Sequence, residues 1–254
     1  MIEFQTLGTI DLRDPQRGEL HVAARPKLVA LLAHLLLLRP KGFCRRDALV
    51  ALFWPDSRQS RARRALNQAL YELRQAVGEN VIVSRGSEEV GVDRDRIWCD
   101  AEAFEETLDR KDRSAALDLY GGELLAAFAL PSCPEFEMWL DARRRDLQES
   151  ALRAARERAR ELAAAGNRVE AIYWLRRALA WDPYDERVLG KLIRHLLALG
   201  DRTGALREYR TFAHRLREID VEPAPEIQAL VSVLSTNGRN LLGSEPGLRL
   251  SHSA

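Results

Sequence analysis

Long apolar runs are scarce in this chain. The longest, "LVALLAHLLLL" at residues 28–38, falls well short of the roughly 18 or more residues that a membrane span requires, and His34 interrupts it. A buried helix is expected there, and no membrane partner. Cysteine is scarce too: Cys44, Cys99 and Cys133 are odd in number, widely spaced and form no CxxC pair, which argues against a disulfide framework and against a zinc site. His21, His34, His195, His214 and His252 show no HExxH or other ligand spacing. No GxxxxGK[ST] loop and no GxSxG elbow occurs, and Glu105 and Glu106 are neighbours on a helical stretch, where adjacent side chains diverge. The expectation is a chain without catalytic activity, metal or cofactor. Nor does a small-residue cleavage pattern follow the apolar run, so a cytoplasmic protein is expected.

What is present suits one large or two ordinary domains: 254 residues, 46% of them hydrophobic. Charge is nearly balanced overall but unevenly spread. Residues 1–98 hold 16 Lys and Arg against 12 Asp and Glu, and the remainder holds 23 against 26. A basic first part points weakly to an anionic partner, and concentration of charge on one face matters more than its sum.

Near the start, "IEFQTLG" (2–8), "TIDLR" (9–13) and "ELHVA" (19–23) have strand character and are separated by turn formers around Asp14, Pro15 and Gly18, which predicts a small antiparallel sheet. An apolar helix follows from about Pro26 to Leu38, ended by Pro40 and Gly42. A second, "RRDALVALFW", stops at Trp54-Pro55. The third covers residues 57–78: Ala62, Ala65, Leu66, Ala69, Leu70, Leu73, Ala76 and Val77 fall on one side at helical period, Ser60, Arg61, Arg64, Asn67, Gln68, Tyr71 and Gln75 on the other. Its front end is loaded with Arg58, Arg61, Arg63 and Arg64, although the helix dipole favours carboxylates there. After Gly78, "VIVSR" and "EVGVD" joined by "GSE" read as a hairpin.

Three helices closed by a hairpin outline a winged helix. In that geometry the third helix enters the DNA major groove, arginines at its front meet phosphates, and Arg64, Asn67, Gln68 and Tyr71 reach base edges. The alternative for the same residues is a solvated arginine face.

From about Asp100 the chain reads as helix after helix: "AEAFEETLD", "RSAALDLYGGELLAAF", then a long charged run from about Glu135 to Ala165. Gly166-Asn167 recurs as Gly200-Asp201, 34 residues on, with Leu162 matched by Leu196, Ala171 by Ala205, Leu175 by Tyr209 and Ala178 by Phe212. This is the tetratricopeptide period, in which helix pairs stack because none can bury its apolar face alone. Trp139, Tyr173, Trp174, Trp181, Tyr184, Tyr209 and Phe212 are expected to pack between helices. The fold class predicted is mostly α: a winged helix-turn-helix with a small antiparallel sheet and hairpin wing, then an all-α repeat domain.

The segments "RRDALVALFWPD", "ARRALNQALYELRQAVG", "CDAEAFEETL", "LYGGELL", "EFEMWLDARRRDLQESAL" and "REIDVEPAPEIQALVSVL" occur in an order that resembles the SARP-type (antibiotic regulatory protein) transcriptional activators, which join an OmpR-like winged helix to a bacterial transcriptional activator domain (BTAD) of tetratricopeptide-like repeats. The resemblance implies a DNA-binding domain at 1–98, an activator domain at 99–236 and a disordered tail at 237–254. It implies double-stranded DNA as ligand, recruitment of RNA polymerase, and a homodimer on promoter direct repeats. Carried onto this sequence, it puts Arg61, Arg64, Asn67, Gln68 and Tyr71 in the groove and Arg58, Arg63, Arg74 and wing Arg85 near phosphates, with Arg25 and Lys27 as further phosphate contacts or plain surface charge. Two departures stand out. Val90 and Val92 occupy a strand where an aromatic is common, and Glu88 and Glu89 at the wing tip argue against close insertion into the minor groove. Two other functions fit the same parts: a protein-interaction adaptor that works through its repeats while the winged helix engages protein, and a sensor whose repeats take a small effector.

Overall fold

The computed structural model describes residues 1–20 and 25–239, and the chain divides into two compact units, Met1–Ala154 and Ala155–Ala254. The first unit opens with β1 (Ile2–Gln5), β2 (Asp11–Asp14) and β3 (Gly18–Glu19), an antiparallel meander. Part of the third expected strand lies outside the described residues. Two short strands are not expected from the sequence, and one of them, β7 (Ile97–Cys99), lies parallel to β1, giving the order β3-β2-β1-β7. Three residues are too few to show alternation, so the sequence carried no period to detect.

Helices α1 (Pro26–Leu36), α2 (Arg46–Phe53) and α3 (Gln59–Val77) follow, the first with Pro26 in its opening turn and two residues shorter than expected. Between them β4 (Cys44–Arg45) joins the hairpin β5 (Ile82–Arg85) and β6 (Glu89–Val92) in a second sheet of order β4-β6-β5. The register Arg85↔Glu89 closes the hairpin over three residues. Leu28 to Leu37, Leu49, Phe53, Leu66, Leu70, Leu73, Ile82 and Val90 are buried together with Phe104 and Phe136.

Asp100 begins α4 (Asp100–Asp109), and its buried carboxylate accepts from the Thr6 amide (2.8 Å), the Thr6 hydroxyl (2.6 Å), the Leu7 amide (2.9 Å) and the Ala101 amide (2.7 Å). Burial raises the pKa of this group, while its donors act in the opposite direction. The first sheet is thereby tied to the helical part of its own unit. After α5 (Arg113–Leu119) the predicted helix through "YGGELLAAF" does not form. The chain instead runs beside the end of β1: Gly8 N–H donates to the Glu123 carbonyl, Leu125 N–H to that of Thr6, and a Cβ on Gly121 would stand 2.7 Å from the Leu7 oxygen. Two adjacent glycines lower helix propensity, and here they permit a close backbone approach.

The boundary between the units falls within α6 (Pro134–Ala164). In the second unit α7 (Arg168–Trp181), α8 (Glu186–Ala198), α9 (Arg202–Arg217) and α10 (Pro225–Arg239) stack as the 34-residue period predicts. Gly166 (φ +83°) and Gly200 (φ +79°) end their helices identically. Each following residue bonds back to the carbonyl of Leu162 or Leu196 (2.8 and 2.9 Å), and Asn167 and Asp201 then cap the next helix. The repeat partners Leu162, Leu196, Ala171, Ala205, Leu175, Ala178 and Phe212 are all buried. Two aromatics depart from the packing expectation: Tyr173 and Tyr184 are about half exposed, because they fall outside the apolar stripes of α7 and its following turn. The tail expected from Asn237 starts inside α10, which runs to Arg239, and residues 240–254 lie outside the described residues.

Candidate nucleic-acid interface

The predicted site residues converge on α3. Its inner face buries Ala62, Leu66, Ala69, Leu70, Leu73 and Val77, and each buried leucine contributes about 1.5–3 kcal/mol. A helix held so firmly from beneath leaves its outer face free for other chemistry. That face presents Arg61, Arg64, Asn67, Gln68 and Tyr71, all exposed, with Arg58 and Arg63 exposed around the first turn. Tyr71 is 56% exposed on this face.

The cations divide into held and free. Arg63 pairs with Asp47 at 2.9 Å. Half-buried Arg74 turns toward the hairpin, donating to the Ile82 carbonyl (3.0 Å) and the Ser84 hydroxyl (3.1 Å). On the wing, Arg85 pairs with Glu89 at 2.5 Å and lies 4.6 Å from the Phe43 ring. That pairing raises the arginine's pKa and lowers the carboxylate's. By contrast, the side chains of Arg58, Arg61 and Arg64 have no hydrogen-bond or ion-pair partner among the described residues. Arg58 is also the N-cap of α3, where it offers no side-chain acceptor, and no acid occupies the first turn. The helix therefore begins with unsatisfied amides and unpaired guanidinium groups, an arrangement suited to an anion.

Arg25 and Lys27 are engaged within the unit. Arg25 pairs with Glu72, whose carboxyl is held below its usual range by the Gln68 hydrogen bond and by Arg25. Lys27 donates to the Phe53 carbonyl (3.0 Å) and sits 5.2 Å from the Trp54 ring.

The sequence reading missed three neighbours of this face. Arg46, at the start of α2, donates to Asn67 Oδ1 (3.0 Å) and to Ser84 Oγ (3.1 Å), and its own amide donates to the Glu88 carbonyl at the wing tip (2.8 Å). Burial lowers its pKa, and the nearby Arg74 adds to the shift. Ser84 receives both arginines. Phe43 supplies beside Gly91 the aromatic that β6 lacks. The only signal for Arg46 was the doublet "RR" ahead of an apolar helix, which equally describes surface charge.

Among the described residues no helix is long and apolar enough to cross a membrane. The family pattern "Bacterial transcriptional activator domain" matches residues 92–234. The chain is 29% identical over 248 residues to the transcriptional regulatory protein MoaR1 of Mycobacterium tuberculosis (strain ATCC 25618 / H37Rv), covering 90% of this chain and 78% of that protein, and 28% identical to MoaR1 of Mycobacterium bovis (strain BCG / Pasteur 1173P2) over the same shares. Its fold is similar to that of Mycobacterium tuberculosis EmbR, solved in complex with a low affinity phosphopeptide, with a TM-score of 0.61 at 21% identity; the match covers 93% of this chain and spans 65% of EmbR's. With the pattern matching more than half of its length, the chain belongs to the bacterial transcriptional activator domain family, as a SARP-type transcriptional regulator.

Proposed function

We propose that the chain is a sequence-specific DNA-binding activator that inserts α3 into the major groove of promoter direct repeats, as a homodimer, and recruits RNA polymerase. The observation that carries this reading is the run of partnerless Arg58, Arg61 and Arg64 on the exposed face of a helix whose other side is fully committed to the core. In this reading the DNA-binding part is residues 1–98 and the activating part 99–236. Arg61, Arg64, Asn67, Gln68 and Tyr71 face base edges. Arg58 and Arg63 meet phosphates, and Arg63 leaves Asp47 to do so. Arg74 and Arg85 stand nearest the flanking backbone along the hairpin. The exposed Glu88 at the wing tip repels phosphate, so the wing lies alongside the backbone and stays out of the minor groove. The protein works by binding and has no catalytic step.

The test is an electrophoretic shift with promoter-containing DNA at two salt concentrations. Binding that weakens steeply with salt and survives nonspecific competitor supports the proposal. A chain that shifts no DNA at either concentration contradicts it and favours the adaptor.

A further inference from the structure

Asn67 sits midway along the outer face of α3, and its amide is not free to turn. The guanidinium of Arg46 lies 3.0 Å from it, and a guanidinium has donors only, so the atom that faces it is the carbonyl oxygen. Arg46 is itself held by two further bonds: its second nitrogen donates to Ser84 Oγ at 3.1 Å and its main-chain amide donates to the Glu88 carbonyl at 2.8 Å, while its Nε is buried without a partner. Ser84 Oγ also accepts from Arg74 at 3.1 Å, so α2, α3 and the hairpin share one set of bonds around this amide. The Asn67 NH2 group has no partner among the described residues, and the residue is exposed.

Resting on the DNA-binding reading above, we propose that Arg46 is a positioning residue that presents Asn67 to the major groove as a donor. An asparagine free to orient itself recognises adenine through both its oxygen and its nitrogen, accepting from N6 and donating to N7. Here the oxygen is engaged by a charge-assisted bond, which is about twice as strong as the neutral bond that adenine N6 would offer in its place. The outward NH2 meets acceptors: N7 and O6 of guanine or O4 of thymine. Asn67 therefore selects a keto base, guanine or thymine, at its position. Cytosine turns only an amino group toward the same NH2, donor against donor; adenine can accept at N7 but sets its N6 amino group beside that bond, where guanine offers O6 as a second acceptor.

The experiment is selection of bound sequences from a random duplex pool by the full chain, by Asn67→Ala and by Arg46→Met, which keeps most of the aliphatic stem and removes every donor. Asn67→Ala identifies the base position that the residue reads, by flattening the preference there. The unaltered chain is expected to hold guanine or thymine at that position by about tenfold over adenine. In Arg46→Met the preference there is expected to move to adenine while the rest of the site is retained. A second measurement needs no substitution in the protein: where the preferred base is guanine, 7-deazaguanine is expected to weaken binding of the unaltered chain several-fold, and where it is thymine, 4-thiothymine is.

Adenine at that position in the unaltered chain overturns the proposal while leaving DNA binding intact. So does an Arg46→Met chain with unchanged base preference and a salt slope lower by about one, which makes Arg46 a phosphate contact instead. A chain that selects no sequence at all overturns this proposal together with the DNA-binding reading.

Discussion

The helices of the repeat unit and the third helix of the first unit begin in opposite ways. Asn167 accepts from the Glu170 amide at 3.2 Å, Asp185 from the amides of Arg187 and Val188 at 2.9 and 3.0 Å, and Asp201 from the Gly204 amide at 2.7 Å. Glu170 and Glu186 add negative charge to their first turns. Helix α3 has Arg58 at the same place, no side-chain cap and no acid behind it. The repeats follow the rules that make a helix start stable, whereas α3 breaks them at four arginines. Such a start works against the helix dipole, and α3 tolerates it because six buried side chains anchor the helix.

Four changes sharpen that contrast. The largest concerns the core beneath the basic helix. His34, packed between Phe53 and Trp139, is held by burial at about 4, below its usual 6.5. The unfolded chain therefore takes up a proton between these values and the folded chain does not. Stability from this group is complete above pH 6.5 and declines as pH falls toward 4, by up to about 3 kcal/mol. Thermal melts from pH 7.5 to 4.5 are expected to show the decline, and His34→Leu to flatten it. His195 in α8 is shifted in the same direction by burial and by Arg168 and Lys191, and it is more exposed, so its contribution is smaller.

Next, Arg64→Ala is expected to cost about 1–3 kcal/mol in DNA affinity and to relax discrimination at one base position, with the melting temperature unchanged. Fluorescence anisotropy on matched and mismatched duplexes measures the first, calorimetry the second. Asp185→Ala should do the reverse: a loss of about 1 kcal/mol in stability from two orphaned amides, and DNA binding untouched. The smallest effect is the most telling. Arg58→Asp gives α3 the cap its sister helices have, so the melt should improve by about 0.5–1 kcal/mol while DNA affinity falls. Improvement in both properties would break the contrast.

Most of this fold was legible because its elements are long and periodic. The inner face of α3, the hairpin over residues 81–93 and the paired glycine ends of the repeats each repeat a physical requirement that a single chain displays. The parallel strand β7 and the path of residues 120–128 were not legible, since both are set by backbone partners almost a hundred or more residues away. The candidate face was legible for the same reason as α3 itself, and the structure keeps all of Arg58, Arg61, Arg63, Arg64, Asn67, Gln68 and Tyr71 exposed on it. What the sequence could not reveal is which arginines are already occupied. Arg74, Arg85 and Arg46 look no different in a string of letters from Arg61, and only their partners at Ser84, Glu89 and Asn67 separate them.

The unpaired charge at the front of α3 is tested most directly by the salt dependence of binding. The slope of log affinity against log salt should fall by about one when Arg58 is replaced by alanine, equally for specific and nonspecific duplexes. An unchanged slope, with affinity also unchanged, would contradict the placement of DNA on this helix.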